Sequence, residues 1–146
     1  MRMELVDYNG ILALWEKLEP LVAKCILRAC KGEITPTDVL YMVLRKEAVM
    51  MVGFGDKDQI ELMTAWEPVD FPQLKTINLF AMAGASPGVM RKYISAGWFD
   101  KIKAWAMAMG YQAIDCWTSE SMQRIVRRYG FEQQYIHSRC LLGGAS

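Results

Sequence analysis

Histidine is nearly absent from this chain: His137 is the single one, and Cys25, Cys30, Cys116 and Cys140 are scattered with no C-x-x-C pair. Metal ligands at the usual zinc spacings are therefore missing, and the thiols read better as free cysteines, since Cys25 and Cys116 both sit in apolar segments. There is no G-x-x-x-x-G-K-[S/T] loop, no G-x-S-x-G elbow and no Cys/His pair close in sequence. These absences argue against P-loop nucleotide hydrolysis, serine hydrolysis on a nucleophile elbow and thiol catalysis. No apolar run approaches the roughly 20 residues that cross a bilayer, and no signal-peptide core follows Met1 to Glu4, so a cytoplasmic product without a membrane span is expected. Internal repeats and low-complexity linkers are also lacking.

What is present is a globular composition: 146 residues, 53% hydrophobic and 23% charged. That length suits one domain over residues 1–146 with one core. Charge is unevenly spread. Residues 1–70 hold 8 Lys/Arg against 12 Asp/Glu, and residues 71–146 hold 9 against 4. A basic second half suits an anionic ligand, although solvated faces give the same count.

Ile11, Leu14, Trp15 and Leu18 have helical spacing, which Leu21, Val22, Cys25, Ile26 and Ala29 continue. Pro20, between these sets, should start a second helical piece or kink one long helix. Thr35-Pro36-Thr37-Asp38 is a helix start with a capping hydroxyl, Pro at the first position and an acid in the first turn. Glu47 to Phe54 and Gln59 to Trp66 read as a hairpin around Gly55 to Asp58. Two prolines between Glu67 and Pro72 predict a loop. Thr76 to Ala83 is a further strand, followed by Gly84 to Gly88 and a helix with Trp98, Ile102, Trp105 and Met109 on one face. Tyr111 to Trp117 is a strand. Ser119 caps a helix bearing Met122, Ile125, Val126 and Tyr129, and Gly130 stops it. Phe131 to Leu142 is expected as a last strand, with Gly143 to Ser146 a frayed tail.

A strand, a crossover helix and another strand imply a right-handed parallel pair. The expected fold is therefore an α/β (α+β) mixed, mostly antiparallel sheet with one central parallel pair and helices on both faces.

The run from Ser119 to Phe131 resembles the N-x-x-A-x-x-x-Y-x-x-x-G-F segment of the GNAT N-acetyltransferases, without a gap. The element order from Lys75 to Phe131 is similar to the acyl-CoA-binding unit of that family, preceded by helices and a hairpin over residues 1–74. The second family motif, [Q/R]-x-x-G-x-[G/A], is best matched by Arg91-Lys92-Tyr93-Ile94-Ser95-Ala96, where Ile94 replaces the first glycine. The resemblance implies acetyl-CoA as cofactor, held by Phe80 and Met82 on the strand, by Arg91, Lys92, Ile94, Ser95 and Ala96 at the phosphate loop, and by Ser119. It implies an amine-bearing acceptor, a small molecule or a protein. The family's usual acid is a Tyr at the position of Val126, and Tyr129 falls on nearly the same side of the helix. Glu67 and Asp70, flanking the proline loop, are the candidate catalytic carboxylates.

Glu61 should face solvent or a cleft. Asn78 is either a buried hydrogen-bonding group or a site residue, and His137 is structural. The three arginines Arg124, Arg127 and Arg128 are too thin a footprint for nucleic acid. The pattern from Trp117 to Gly130 also looks like short GNAT-like proteins of tailed bacteriophages, some of them virion accessory proteins. With room for only one strand after Phe131, a sheet edge should be left exposed and favour a homo-oligomer or larger assembly. Two functions therefore follow from the resemblance: an acetyl-CoA-dependent N-acetyltransferase with degenerate motifs, or a catalytically silent GNAT-fold binding module.

Overall fold

The structure, a computed structural model, describes residues 1–143, the side chain of Ala29 excepted. Five strands form one sheet in sequential order: β1 (Arg2–Val6), β2 (Val49–Phe54), β3 (Ile60–Phe71), β4 (Leu74–Gly84) and β5 (Ala113–Cys116). Each neighbouring pair among the first four is antiparallel, and β4 and β5 are parallel. Helices α1 (Tyr8–Ala29) and α2 (Pro36–Leu44) cover one face of the sheet, and α3 (Val89–Ser95) and α4 (Trp98–Ala108) the other. Helix α5 (Glu120–Val126) continues into a 3-10 turn over Arg127–Tyr129. This is the mixed, mostly antiparallel sheet with one parallel pair and helices on both faces that the sequence predicts, except that the pair stands at the sheet's edge and not at its centre.

Two buried clusters follow from strand alternation, because successive side chains point to opposite faces. Met50, Val52, Met63, Ala65, Ala81 and Ala83 meet α1 and α2 through Ile11, Leu18, Val22 and Val39. Met51, Leu62, Trp66 and Ile77 meet α3 and α4 through Tyr93, Trp98, Ile102 and Ala106. Tyr93 packs flat on bare backbone: a Cβ on Gly53 would lie 2.7 Å from its ring.

Local chemistry explains the helix starts. Thr35 and Asp38 form a capping box at α2, with the Asp38 carboxylate accepting from Thr35 N at 2.8 Å. Ser119 Oγ accepts from Met122 N at 3.3 Å to start α5. Gly130 ends the following turn at φ +94, the left-handed conformation that glycine adopts without a Cβ clash.

Several expectations are corrected. Of the two alternatives for Pro20, the second helical piece does not form: α1 runs through this exposed position as one long helix. Strand β1, not foreseen, pairs with β2 from Arg2↔Phe54 to Val6↔Met50. Glu67 to Phe71 is strand, not loop: Pro68 lies opposite Ile77 of β4. Proline is tolerated there because β2 ends its pairing at Val49↔Trp66, leaving β3 an open edge beyond it. Residues 91–95 of the expected phosphate loop lie inside α3, with Ala96 and Gly97 forming the break before α4.

The last strand, Phe131 to Leu142, does not form. No backbone hydrogen bond joins residues 132–143 to other backbone among the described residues. The parallel pair consequently ends the sheet. Of the expected tail, residues 144–146 lie outside the described residues.

Helix α3 is also tied to the sheet by charge. Glu61 on β3 accepts from Lys92 Nζ at 3.0 and 3.1 Å and from Tyr93 Oη at 2.9 Å. Lys92 first and Tyr93 second hold its carboxyl below the usual carboxylate range, while burial, then Glu61, pushes the Tyr93 hydroxyl up. Because the folded pKa of Glu61 is depressed, its contribution to stability is present above the unfolded value near about 4.3 and is lost as pH falls through the folded one. Glu61→Gln should flatten the acid limb of a stability–pH curve below about pH 5 and leave the neutral limb's slope unchanged. Parallel curves for parent and variant would show that the tie carries no such linkage.

Candidate functional site

The feature that defines the site is where β4 and β5 part. Their parallel ladder runs from Thr76↔Ala113 to Leu79↔Cys116 and stops, while β4 continues to Gly84. At the same level β4 bulges: Trp66 pairs with Leu79 and Ala65 with Ala81, so Phe80 has no partner on β3. A bulge re-aims the strand and commonly ends pairing, here opening a wedge beside Phe80 to Gly84.

Beyond the parting, the outward backbone groups of β4 lack a strand. Two of them are met by α1 side chains: Met82 N–H donates to Cys25 Sγ at 3.2 Å, and Lys24 Nζ donates to Gly84 O at 3.3 Å. Cys25 is buried, and desolvation raises its thiol pKa against the lowering effect of that N–H.

On the α3/α4 side, a cleft of about 470 Å³ lies between the start of α4 and the turn after α5. Ile94, Gly97, Phe99, Asp100, Lys103, Arg128, Tyr129 and Gly130 line it. Phe99 organises it, with ring centroids 6.2 Å from Tyr129 and 5.5 Å from Phe131 and the Lys103 ammonium 4.7 Å from its ring. Neither Lys103 nor Arg128 is in an ion pair among the described residues, so both charges are available to an anion beside the α4 N-terminus.

The structure brings some sequence candidates together and separates others. Ile94 and Tyr129 meet in the cleft; Phe80 and Met82 sit at the parting. Lys92 is committed to Glu61, and Arg91, Ser95 and Ala96 are exposed on or just after α3. Ser119 Oγ is engaged as the α5 cap and lies 3.1 Å from Ser121 Oγ. Asp70 pairs in register with Lys75 at the hairpin end, four residues or roughly 13 Å along β4 from Leu79. Glu67 is half-buried and accepts from Asn78 Nδ2 at 3.2 Å. Tyr93 packs over Gly53 of β2, and Trp98 packs on Trp66, the residue paired with Leu79 at the level of the parting.

Sequence reasoning missed Lys103, because its place in the cleft depends on the turn after α5 folding back onto α4. It also missed Asp115, which the parallel register sets beside Asn78. The neighbouring Cys116 thiol is pushed up to about 11 by burial and, second, by the charge of Asp115.

No protein-family model matches this chain. No curated protein matches it. Solved structures do. One, a probable acetyltransferase, superposes with a TM-score of 0.72 at 17% identity, covering 100% of this chain and 99% of its own. A ribosomal-protein-alanine N-acetyltransferase from Brucella melitensis gives 0.69 at 9%, covering 97% and 100%. A predicted acetyltransferase from Clostridium acetobutylicum, solved with acetyl-CoA, gives 0.68 at 16%, covering 97% and 96%. The chain has the GNAT acetyltransferase fold over essentially its whole length. No helix among the described residues is long and apolar enough to cross a membrane.

Proposed function

We propose that this chain is an acetyl-CoA-dependent N-acetyltransferase acting on an amine. The observation that carries the reading is the parting of β4 from β5 after Leu79 and Cys116, next to a cleft with two cations outside any ion pair among the described residues. An extended amide-bearing arm beside Phe80 to Gly84 replaces the missing strand and pairs with the outward groups of β4. Lys103, Arg128 and the α4 N-terminus suit the phosphates. These residues fit the cofactor better than Arg91-Lys92, since Lys92 already neutralises Glu61.

Bound acetyl-CoA supplies an activated acyl group; the remaining roles fall to this chain. Met82 N–H is a backbone donor on β4 beyond the parting, and releasing it from Cys25 makes it available to a carbonyl oxygen. Tyr129 is the hydroxyl in the cleft suited to give a proton, a role Val126 cannot fill. Glu67 is the carboxylate on the opposite face, beneath the parting.

Calorimetry with acetyl-CoA tests the reading: saturable heat supports it, and neither heat nor a thermal shift at about millimolar cofactor sinks it. Tyr129→Phe keeps the ring contact with Phe99 and removes only the hydroxyl. It should lower turnover about tenfold to a hundredfold with little change in acetyl-CoA affinity. An unchanged turnover would remove Tyr129 from the chemistry.

A second reading, an assembly module like the GNAT-like virion accessory proteins of phages, is favoured by one observation. Tyr135, Ile136 and Leu142 are exposed at 88%, 82% and 83% on a segment whose backbone is unpaired among the described residues. It predicts a stable oligomer or partner complex indifferent to coenzyme A, read by light scattering with and without cofactor.

A further inference from the structure

Three polar side chains lie in one row across the sheet. Glu67 on β3 is in register with Asn78 on β4, and Asn78 with Asp115 on β5. Residues in register share a face. Trp66, Ile77 and Ile114, one position earlier on each strand, pack toward α3 and α4, so the polar row lies on the α1/α2 face. It occupies the rung immediately before the last one, Leu79↔Cys116, about 3.3 Å below the parting.

The row is short of positive charge and of donors. Asn78 is 1% exposed, and its Nδ2 donates to Glu67 Oε1, which leaves its Oδ1, also buried, as the free end of the amide. That Oδ1 has no hydrogen-bond partner among the described residues. Neither Glu67 nor Asp115 makes an ion pair among the described residues, and Asp115 makes no side-chain hydrogen bond. A buried acceptor without a donor is costly, and such a cost is retained where a ligand supplies the donor. Both carboxylates are half-buried, so a solute reaches the row from its rim.

We propose that Glu67, Asn78 and Asp115 form a seat for an alkylammonium group. An ammonium offers three N–H donors and one positive charge, matching the orphan Asn78 Oδ1 and the two carboxylates beside it. A metal ion is the poorer match, because no three carboxylate, thiol or imidazole groups gather to hold one among the described residues. The inference rests on the N-acetyltransferase reading for its role, as the acceptor subsite, and not for the binding itself. Glu67 and Asp115 set the preference for a cationic amine, and Asn78 orients its nitrogen toward the parting one rung above.

The test uses the full chain without cofactor. The Asn78 side-chain amide and the Asp115 backbone amide are followed by two-dimensional NMR while n-butylammonium chloride is added, with n-butanol as the uncharged control. The expected result is a saturable shift at about 10 mM ammonium and none with the alcohol. Glu67→Gln with Asp115→Asn, close in shape to the parent, should weaken binding at least tenfold. Asn78→Leu, read at Asp115, should abolish it while raising the thermal midpoint, since it removes an unsatisfied acceptor. A structural asparagine would not separate the two readouts in that way. Absence of a saturable shift in the parent, or equal affinity in the charge variants, overturns the seat. Ammonium binding without any response to acetyl-CoA leaves the seat standing and removes the cofactor reading; the reverse pattern removes the seat alone.

Discussion

Replacing Trp66 with alanine should cost the fold about 4 kcal/mol, the largest single loss expected in this chain. Trp66 is fully buried on β3, and its indole N–H donates to Thr64 Oγ1 at 2.8 Å. That hydroxyl in turn donates to the Met51 carbonyl at 2.9 Å, so one chain of hydrogen bonds joins β3 to β2. The ring also tilts against Trp98 at 6.5 Å, holding α4 to the sheet. Alanine would leave a cavity between sheet and helix and strip the buried Thr64 hydroxyl of its donor. Trp66→Phe keeps most of the apolar contact and should lose clearly less. Denaturant titration of the three proteins decides it; a loss under about 1 kcal/mol for the alanine variant would show that α4 is anchored elsewhere.

Reversing both cleft charges, Lys103→Glu with Arg128→Glu, should weaken acetyl-CoA binding about a hundredfold and leave the thermal midpoint nearly unchanged. Both side chains are exposed and outside any ion pair among the described residues, so folding depends little on their sign. A cofactor bearing several phosphates responds strongly, since two attractive contacts become repulsive. Calorimetry of parent and variant at two salt concentrations gives the result. Equal affinities would remove the cleft as the phosphate site and return attention to Arg91, which is exposed on α3.

The two effects are separable because they belong to different parts of the molecule. The aromatic pair holds α4 to the sheet, and the charges use the end of that helix. Were α4 to shift, Gly97 and Lys103 would move with it, so a Trp66 variant should lose cofactor affinity along with stability. The charge reversal should lose affinity alone.

Some of this was written in local sequence. Thr35-Pro36-Thr37-Asp38 specifies its helix start through short-range hydrogen bonds, and the structure repeats them. Ser119 and Gly130 bracket the α5 region for the same reason: a cap and a left-handed glycine act over three or four residues. Hydrophobic runs and helical spacing likewise located most of the strands and helices, which was enough for the fold class, while the face each helix covers came from the structure.

Edges and neighbours were not legible. Pro68 is compatible with a strand only because β2 ends its pairing two residues before it, at Trp66, a fact of pairing between separate segments of the chain. Phe131 to Leu142 has strand-like residues but no strand beside it, and a lone β-segment gains no ladder. The site depended most on tertiary structure. The sequence by itself determined that Asn78 is a polar residue in an apolar strand. Only the register of β3, β4 and β5 decided that it lies between Glu67 and Asp115, one rung below the parting, because a sheet assembles its rows from residues on separate strands that the chain keeps apart.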